Sequence, residues 1–246
     1  MERWVGKIAV VTGAAGGIGL SLARALSENG MIVVGLDKKK QEMLDEIKNL
    51  GIGKGKFYAL SCDVSDEDSV TEAFGWIKKN LGVVQVLLNN AGCMVLGGFA
   101  DTTPEIWRNI LDVNLMGSIH CATTAIKMMR EANLEGHVIN MNSIAGHRIY
   151  LHKNLYYNIY GVTKHGITGF TETLQRELMG QNIRVTSISP GIVRTGIMGT
   201  GEDMSTLNVP ILEPKDIADS VIYILGTPQR VQIVELTIRP LGEDAS

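Results

Sequence analysis

The chain has 246 residues, 45% hydrophobic and 20% charged, with a net charge of -3 and a pI of about 6.0. That apolar content suffices for one large core, and the charge balance lacks the basic stripe or tail that holds nucleic acid or an anionic membrane surface. Three dispersed cysteines (Cys62, Cys93, Cys121) without a CxxC, an N-terminus that runs straight into a strand, and no apolar run of about 18 residues point to a cytoplasmic protein with no structural metal and no membrane span.

Apolar, β-branched runs alternate with helical patterns from end to end. Strands are expected at Ile8–Val11, Ile32–Leu36, Phe57–Ser61, Val84–Asn89, His137–Met141, Arg184–Ser189 and Gln232–Ile238. Helices are expected at Gly19–Asn29, Gln41–Leu50, Asp66–Asn80, Thr103–Glu131, Ile159–Met179 and Pro214–Leu225. Ser65 followed by Asp68 reads as a capping box. Near-continuously apolar strands that alternate with helices predict a parallel sheet covered on both faces, in one α/β domain over residues 1–246. The Gly- and Met-rich stretch of about 196–209 has no clear period and reads as a mobile substrate loop.

The first strand runs into Thr12-Gly13-Ala14-Ala15-Gly16-Gly17-Ile18-Gly19. Glycines at 13, 17 and 19 let backbone approach a pyrophosphate and aim helix N-terminal amides at its charge. Asp37 ends the second strand, where a carboxylate accepts hydrogen bonds from the adenosine ribose hydroxyls and repels a 2′-phosphate, so NAD is favoured over NADP. Lys38 and Lys39 are the counterweight, since they would attract that phosphate. Asp63 and Val64 close the third strand; Asp63 is placed either on the adenine amino group or in a helix-start turn. Asn89-Asn90-Ala91-Gly92 closes the fourth, and Pro190-Gly191 turns the chain after the sixth, followed by Ile192, Val193 and Thr195.

Tyr160 and Lys164 lie four apart, on one face of a helix, with Ser143 17 residues before Tyr160. An adjacent ammonium lowers a phenol's pKa from about 10 toward working pH, as a general acid/base requires. Ser143 would hold a substrate oxygen within reach of that phenol. The surroundings of Ser143 contain no Gly-x-Ser-x-Gly elbow, so His147, His152 and His165 do not make a hydrolase triad with it. Tyr156 and Tyr157 lack a lysine four residues on and are assigned to packing or to the substrate mouth. Met198 and Met204 suit an adaptable apolar pocket or simple loop filling.

The Thr12–Gly19 turn, Asp63, Asn89–Gly92, Asn114, Ser143, Tyr160, Lys164 and Pro190-Gly191, in this order, resemble the short-chain dehydrogenase/reductase family along essentially the whole chain. The resemblance implies a single doubly wound Rossmann domain around a seven-stranded parallel sheet. It also implies hydride transfer between a nicotinamide cofactor and an alcohol or carbonyl, and a homodimer or homotetramer. It assigns Tyr160 the acid/base role, Ser143 the substrate oxygen, and Lys164 both the tyrosine and the nicotinamide ribose. Asn114 would organise a relay water, Ile18 would flank the nicotinamide and Asn90 would contact the adenosine half. Ile192 and Val193 would shape the nicotinamide pocket, with Thr195 on its carboxamide or a phosphate. The segments MERWVGKIAVVTGA, NMNSIAGHR and VQIVELTIRP are similar to the insect farnesol-dehydrogenase-like group, which often uses NADP and carries Ala-Arg where this chain has Asp37-Lys38. The leading expectation is an NAD-dependent dehydrogenase of an apolar alcohol, isoprenoid or steroid-like. The alternatives are an NADP-dependent carbonyl reductase and a nucleotide-sensing protein without turnover.

Overall fold

Seven strands of the predicted type form in a computed structural model that describes residues 1–50, 56–149, 156–198 and 209–243. They are β1 (Ile8–Thr12), β2 (Ile32–Asp37), β3 (Lys56–Ser61), β4 (Val84–Asn89), β5 (Gly136–Met141), β6 (Ile183–Pro190) and β7 (Glu235–Ile238). All pair in parallel, in the order β3-β2-β1-β4-β5-β6-β7. Strands β1, β4, β5 and β6 are buried along their whole length, which explains their unbroken apolar runs. The last strand is shorter than expected. It is an edge strand with one partner, and only Glu235–Ile238 joins the ladder, so its exposed and half-buried residues alternate.

The helices are α1 (Gly17–Glu28), α2 (Lys40–Leu50), α3 (Glu67–Asn80), α4 (Pro104–Leu111), α5 (Gly117–Glu131), α6 (Tyr160–Glu177) and α7 (Pro214–Gly226). They divide between the two faces of the sheet. Leu22, Met43 and Val221, from α1, α2 and α7, pack into one core with Trp4, which is fully buried and donates its indole N–H to the Leu225 carbonyl at 2.9 Å. Phe74, Ala125 and Leu174, from α3, α5 and α6, fill the other.

Two local expectations are corrected. The cap of α3 is Asp66, not Ser65: its carboxylate accepts from the amides of Asp68 and Ser69, while Ser65 donates its hydroxyl to Asp63 at 2.6 Å. The stretch expected as one helix over Thr103–Glu131 is two, joined by a single π turn at Asp112–Met116. The extra residue in such a turn alters the register of one helix against the next, and π turns recur where a side chain must be aimed. Here the turn carries Asn114. Of the stretch 196–209, residues 199–208 lie outside the described residues, as do His152 and Met204.

Candidate active site

The strand order reverses between β1 and β4, which run side by side in parallel while their connections lead to opposite halves of the sheet. Open α/β sheets bind ligands outside the carboxyl ends of strands at such a point. A cleft of about 690 Å³ lies there.

Its floor at one end is the glycine-rich turn. Gly13 and Gly17 hold left-handed backbone, with φ of 67° and 52°. A Cβ at Gly13 would stand 2.9 Å from Ala91 Cα, and one at Gly19 2.0 Å from the Gly13 carbonyl oxygen. Gly17 is equally close to the Thr195 side chain, 3.0 Å from an added Cβ. Gly16 caps α1 without a side chain, so no cap competes for the first-turn amides that would receive a phosphate. The turn therefore fits a pyrophosphate backbone-first.

Asp37 lies in the cleft wall with its carboxylate fixed at both oxygens, accepting from Ala15 N at 3.0 Å and Lys39 N at 2.9 Å. The two neighbouring ammoniums are engaged elsewhere: Lys38 with Asp63 at 3.3 Å, Lys39 with Glu42 at 3.0 Å.

The other end of the cleft contains Ser143, Tyr160 and Lys164. Ser143 follows β5, and its hydroxyl accepts from Ala145 N at 3.1 Å and lies beside the Tyr160 phenol, whose ionised form it favours. Tyr160 and Lys164 occupy the first turns of α6, with the Lys164 Nζ 5.6 Å from the tyrosine ring centre. That ammonium is buried and donates to the Met141 carbonyl at 2.8 Å. The expected lowering of the phenol's pKa is not what this arrangement gives. Burial pushes Tyr160 up to about 12; the Ser143 hydrogen bond opposes the rise, and Tyr157 and Cys93 add to it. Burial likewise brings Lys164 down to about 8, with Cys93 opposing. Desolvation of each charged form outweighs the attraction between them, and the ammonium points at a carbonyl and the ring face.

Of the other sequence-predicted residues, Ile18, Asn90, Gly92, Pro190, Gly191, Val193 and Thr195 line the cleft with Gly13 and Gly17. Four do not. Gly19 is packed under Gly13. Asp63 sits in the helix-start turn, accepting from Ser65 N at 3.0 Å and the Ser65 hydroxyl. Val64 is buried against the α5 end, where a Cβ on Gly117 would meet it at 2.8 Å. Asn114 stands one layer behind: its Oδ1 accepts from Cys93 N at 2.8 Å, and its Nδ2 donates to Cys93 O at 2.9 Å and the Thr163 hydroxyl at 3.2 Å. It braces the loop after β4 against α6 beside Lys164. Asn90 also acts as a brace, since its amide donates to the carbonyls of Thr12 and Gly13.

Met94, Phe99 and Glu243 also line the cleft. Glu243 accepts from Ile192 N at 3.1 Å and Arg239 Nε at 2.6 Å. No spacing signal marks these residues, because each reaches the site from a loop or tail. Tyr156 and Tyr157 line the mouth as expected. His147 bonds Ser189 and Glu235, and His165 bonds the Gly161 carbonyl, so neither serves Ser143. Among the described residues no group of His, Cys, Asp and Glu could hold a metal ion, and no helix is long and apolar enough to cross a membrane.

Comparison with known proteins agrees with this geometry. Residues 7–205 match the family model described as short chain dehydrogenase. A farnesol dehydrogenase of Aedes aegypti is 42% identical over 99% of both chains. Dehydrogenase/reductase SDR family member 11 of Mus musculus is 35% identical over 98% of this chain and 96% of its own. Among solved structures, the closed form of a serine dehydrogenase complexed with NADP+ superposes with a TM-score of 0.87 at 27% identity, covering 97% of each chain.

A Gly19→Ala variant should bind nicotinamide cofactor at least about tenfold more weakly in a fluorescence titration, because the added methyl displaces the Gly13 carbonyl and with it the turn. Unchanged affinity would show that the turn does not depend on this close approach.

Proposed function

This chain belongs to the short-chain dehydrogenase family, and we propose that it is an alcohol dehydrogenase that prefers NAD and acts on an apolar alcohol of isoprenoid or steroid-like type. The observation that carries this reading is the meeting of Ser143, Tyr160 and Lys164 at one end of a cleft whose other end is the glycine turn and Asp37. The similarity to a farnesol dehydrogenase and the apolar side chains of Met94, Ile144, Ile149 and Phe99 in the cleft support the substrate class.

Hydride exchange with the substrate carbon is the chemistry a bound nicotinamide supplies. The chain does the rest. The Ser143 hydroxyl holds the substrate oxygen beside the Tyr160 phenol. In oxidation Tyr160 takes the hydroxyl proton; in reduction it returns a proton to the carbonyl oxygen. The Lys164 ammonium stabilises negative charge on that phenol, and Asn114 holds α6 and the loop after β4 in register. Lys164 would also reach the ribose next to the nicotinamide, and Val193 and Thr195 would border the ring. Positioning supplies much of the remaining acceleration.

NAD is favoured because Asp37 presents a fixed carboxylate where a 2′-phosphate would lie, and because Lys38 and Lys39 already face carboxylates. An NADP-dependent reductase is the second reading, and the NADP+ held by a similar structure favours it.

Nicotinamide absorbance with NAD and NADP across farnesol, a steroid alcohol and a short alcohol tests the proposal. Faster turnover with NAD and the long alcohols is expected, and Asp37→Ser should move the cofactor preference toward NADP by about tenfold or more. An NADP preference in the wild type would overturn the assignment of Asp37. Tyr160→Phe should lower kcat about 10²–10⁴-fold, and retention of more than about a tenth of the activity would remove Tyr160 from the acid/base role. The pH profile follows from Lys164 at about 8 and Tyr160 at about 12. Below pH 8 the ammonium is charged and the phenol holds its proton, the pair that carbonyl reduction needs. Reduction should fall as pH rises through about 8, while oxidation climbs up to that point; a reduction rate flat from neutral pH to well above 8 would contradict it.

A further inference from the structure

Asn158 stands two residues before Tyr160 with φ of 35°, a left-handed backbone that residues other than glycine seldom adopt and asparagine tolerates best. Its side chain uses that conformation fully. Nδ2 donates to the carbonyls of Val95 at 2.7 Å and Gly97 at 3.3 Å, while Oδ1 accepts from Ile159 N at 2.6 Å. The same loop is joined to the same segment by backbone: Gly97 N donates to the Tyr156 carbonyl at 2.8 Å, and Gly97 and Tyr157 form an isolated parallel bridge. Gly97 is itself left-handed, with φ of 136°. The two joined segments present Met94, Phe99, Tyr156 and Tyr157 to the cleft. Tyr156 and Phe99 are exposed, as befits a mouth, and Phe99 rests edge-on against Trp107 at 5.5 Å.

We propose that Asn158 is a positioning residue that staples the Val95–Gly97 loop to the entry of α6 and thereby sets the aperture through which a long apolar alcohol reaches Tyr160. The substrate part rests on the alcohol reading above; the staple does not. Strain concentrated beside an acid/base residue persists only where surrounding contacts over-determine it. Here those contacts run to a loop about 60 residues away in sequence, so one side chain, beside the backbone bonds at Gly97, couples the position of the mouth to that of the phenol. A loop released from the staple would still bound the cleft but would no longer hold Met94 and Phe99 at a defined distance from Tyr160. Long substrates, which touch those side chains, would lose more than short ones.

Two variants separate the parts. Asn158→Asp keeps the left-handed backbone and the acceptor for Ile159 N, but has no N–H for the Val95 and Gly97 carbonyls. Asn158→Gly keeps the backbone freedom and drops all three bonds, and it decides the matter should the aspartate variant fail to fold. The readouts are amide hydrogen exchange at Gly97 and the ratio of kcat/KM for farnesol to that for propan-2-ol. In both variants exchange should accelerate by about tenfold or more, and the ratio should fall by about tenfold. Exchange within about twofold of wild type, or an unchanged ratio, would overturn the proposal. If the wild type oxidises neither alcohol, the alcohol reading fails on its own account, and the staple stands or falls on the exchange measurement.

Discussion

The burial of Lys164 is the constraint on which the rest of the site depends. Its ammonium is taken out of water and given one carbonyl, that of Met141, at the last residue of β5. A shift from 10.5 to about 8 corresponds to about 3 kcal/mol, a sizeable fraction of a protein's net stability. The sign is clear: the charged form bears this cost below pH 8, and the cost is relieved as pH rises from 8 toward 10.5. The structure around it is correspondingly tight. Asn142 donates to the Thr168 hydroxyl, which bonds the carbonyls of Gly146 and Lys164, and a Cβ on Gly146 would stand 2.4 Å from the Asn142 side chain. The strand end that supplies Ser143 is thus tied to the helix that supplies Tyr160 and Lys164.

The same logic explains Asn114. A helix of regular pitch through residues 104–131 would not need its backbone interrupted. The π turn interrupts it, and the amide it carries bonds both the N–H and the C=O of Cys93 and reaches Thr163, the residue before Lys164. Buried amides require such saturation, since an unmet polar group costs about 1–3 kcal/mol. Asn89 and Asn140 form a chain with Thr171 between the sheet and α6, although the Asn89 Oδ1 is left without a partner among the described residues. These polar links join α6 to the sheet at defined points, beside the apolar packing of Ile167 and Leu174.

The strands were legible because a parallel sheet covered on both faces needs apolar residues without interruption, and β1, β4, β5 and β6 supply them. The glycine turn, Asp37, Ser143, Tyr160 and Lys164 were legible because each sits at a strand end or on one helix face, at a spacing that chemistry requires. The misses have physical causes. Pro104 opens the stretch at 103–131 as a helix start, and the lone Gly117 just after the break is tolerated inside a helical pattern, so neither announces a π turn. Asp66 competes with Ser65 for the cap of α3, and the stronger acceptor nearer the first-turn amides takes it. The tyrosine's shift took the opposite sign because a charge argument from spacing counts the neighbouring ammonium and omits the water both groups lose. Phe99 and Glu243 left no trace in local pattern, since only the tertiary fold brings them in.

Glu243 shows how far that assembly extends. The chain leaves β7, turns at Pro240 and returns a carboxylate to the peptide that follows β6, where a Cβ on Gly191 would lie 2.6 Å from it. A side chain there would displace the Glu243 carboxylate and crowd Pro240 Cδ at 2.9 Å. Arg239 balances the carboxylate from the same tail, so the arrangement brings no net charge to the cleft. The turn after β6 is therefore braced from the edge of the sheet, as the turn after β1 is braced by Asn90 from its centre. Parallel strands place all such turns at one end. They leave each turn short of local hydrogen bonds, and side chains from distant segments have to complete them. The residues that complete them sit within reach of whatever the cleft binds, so structural and functional roles coincide at this end of the sheet and separate at the other.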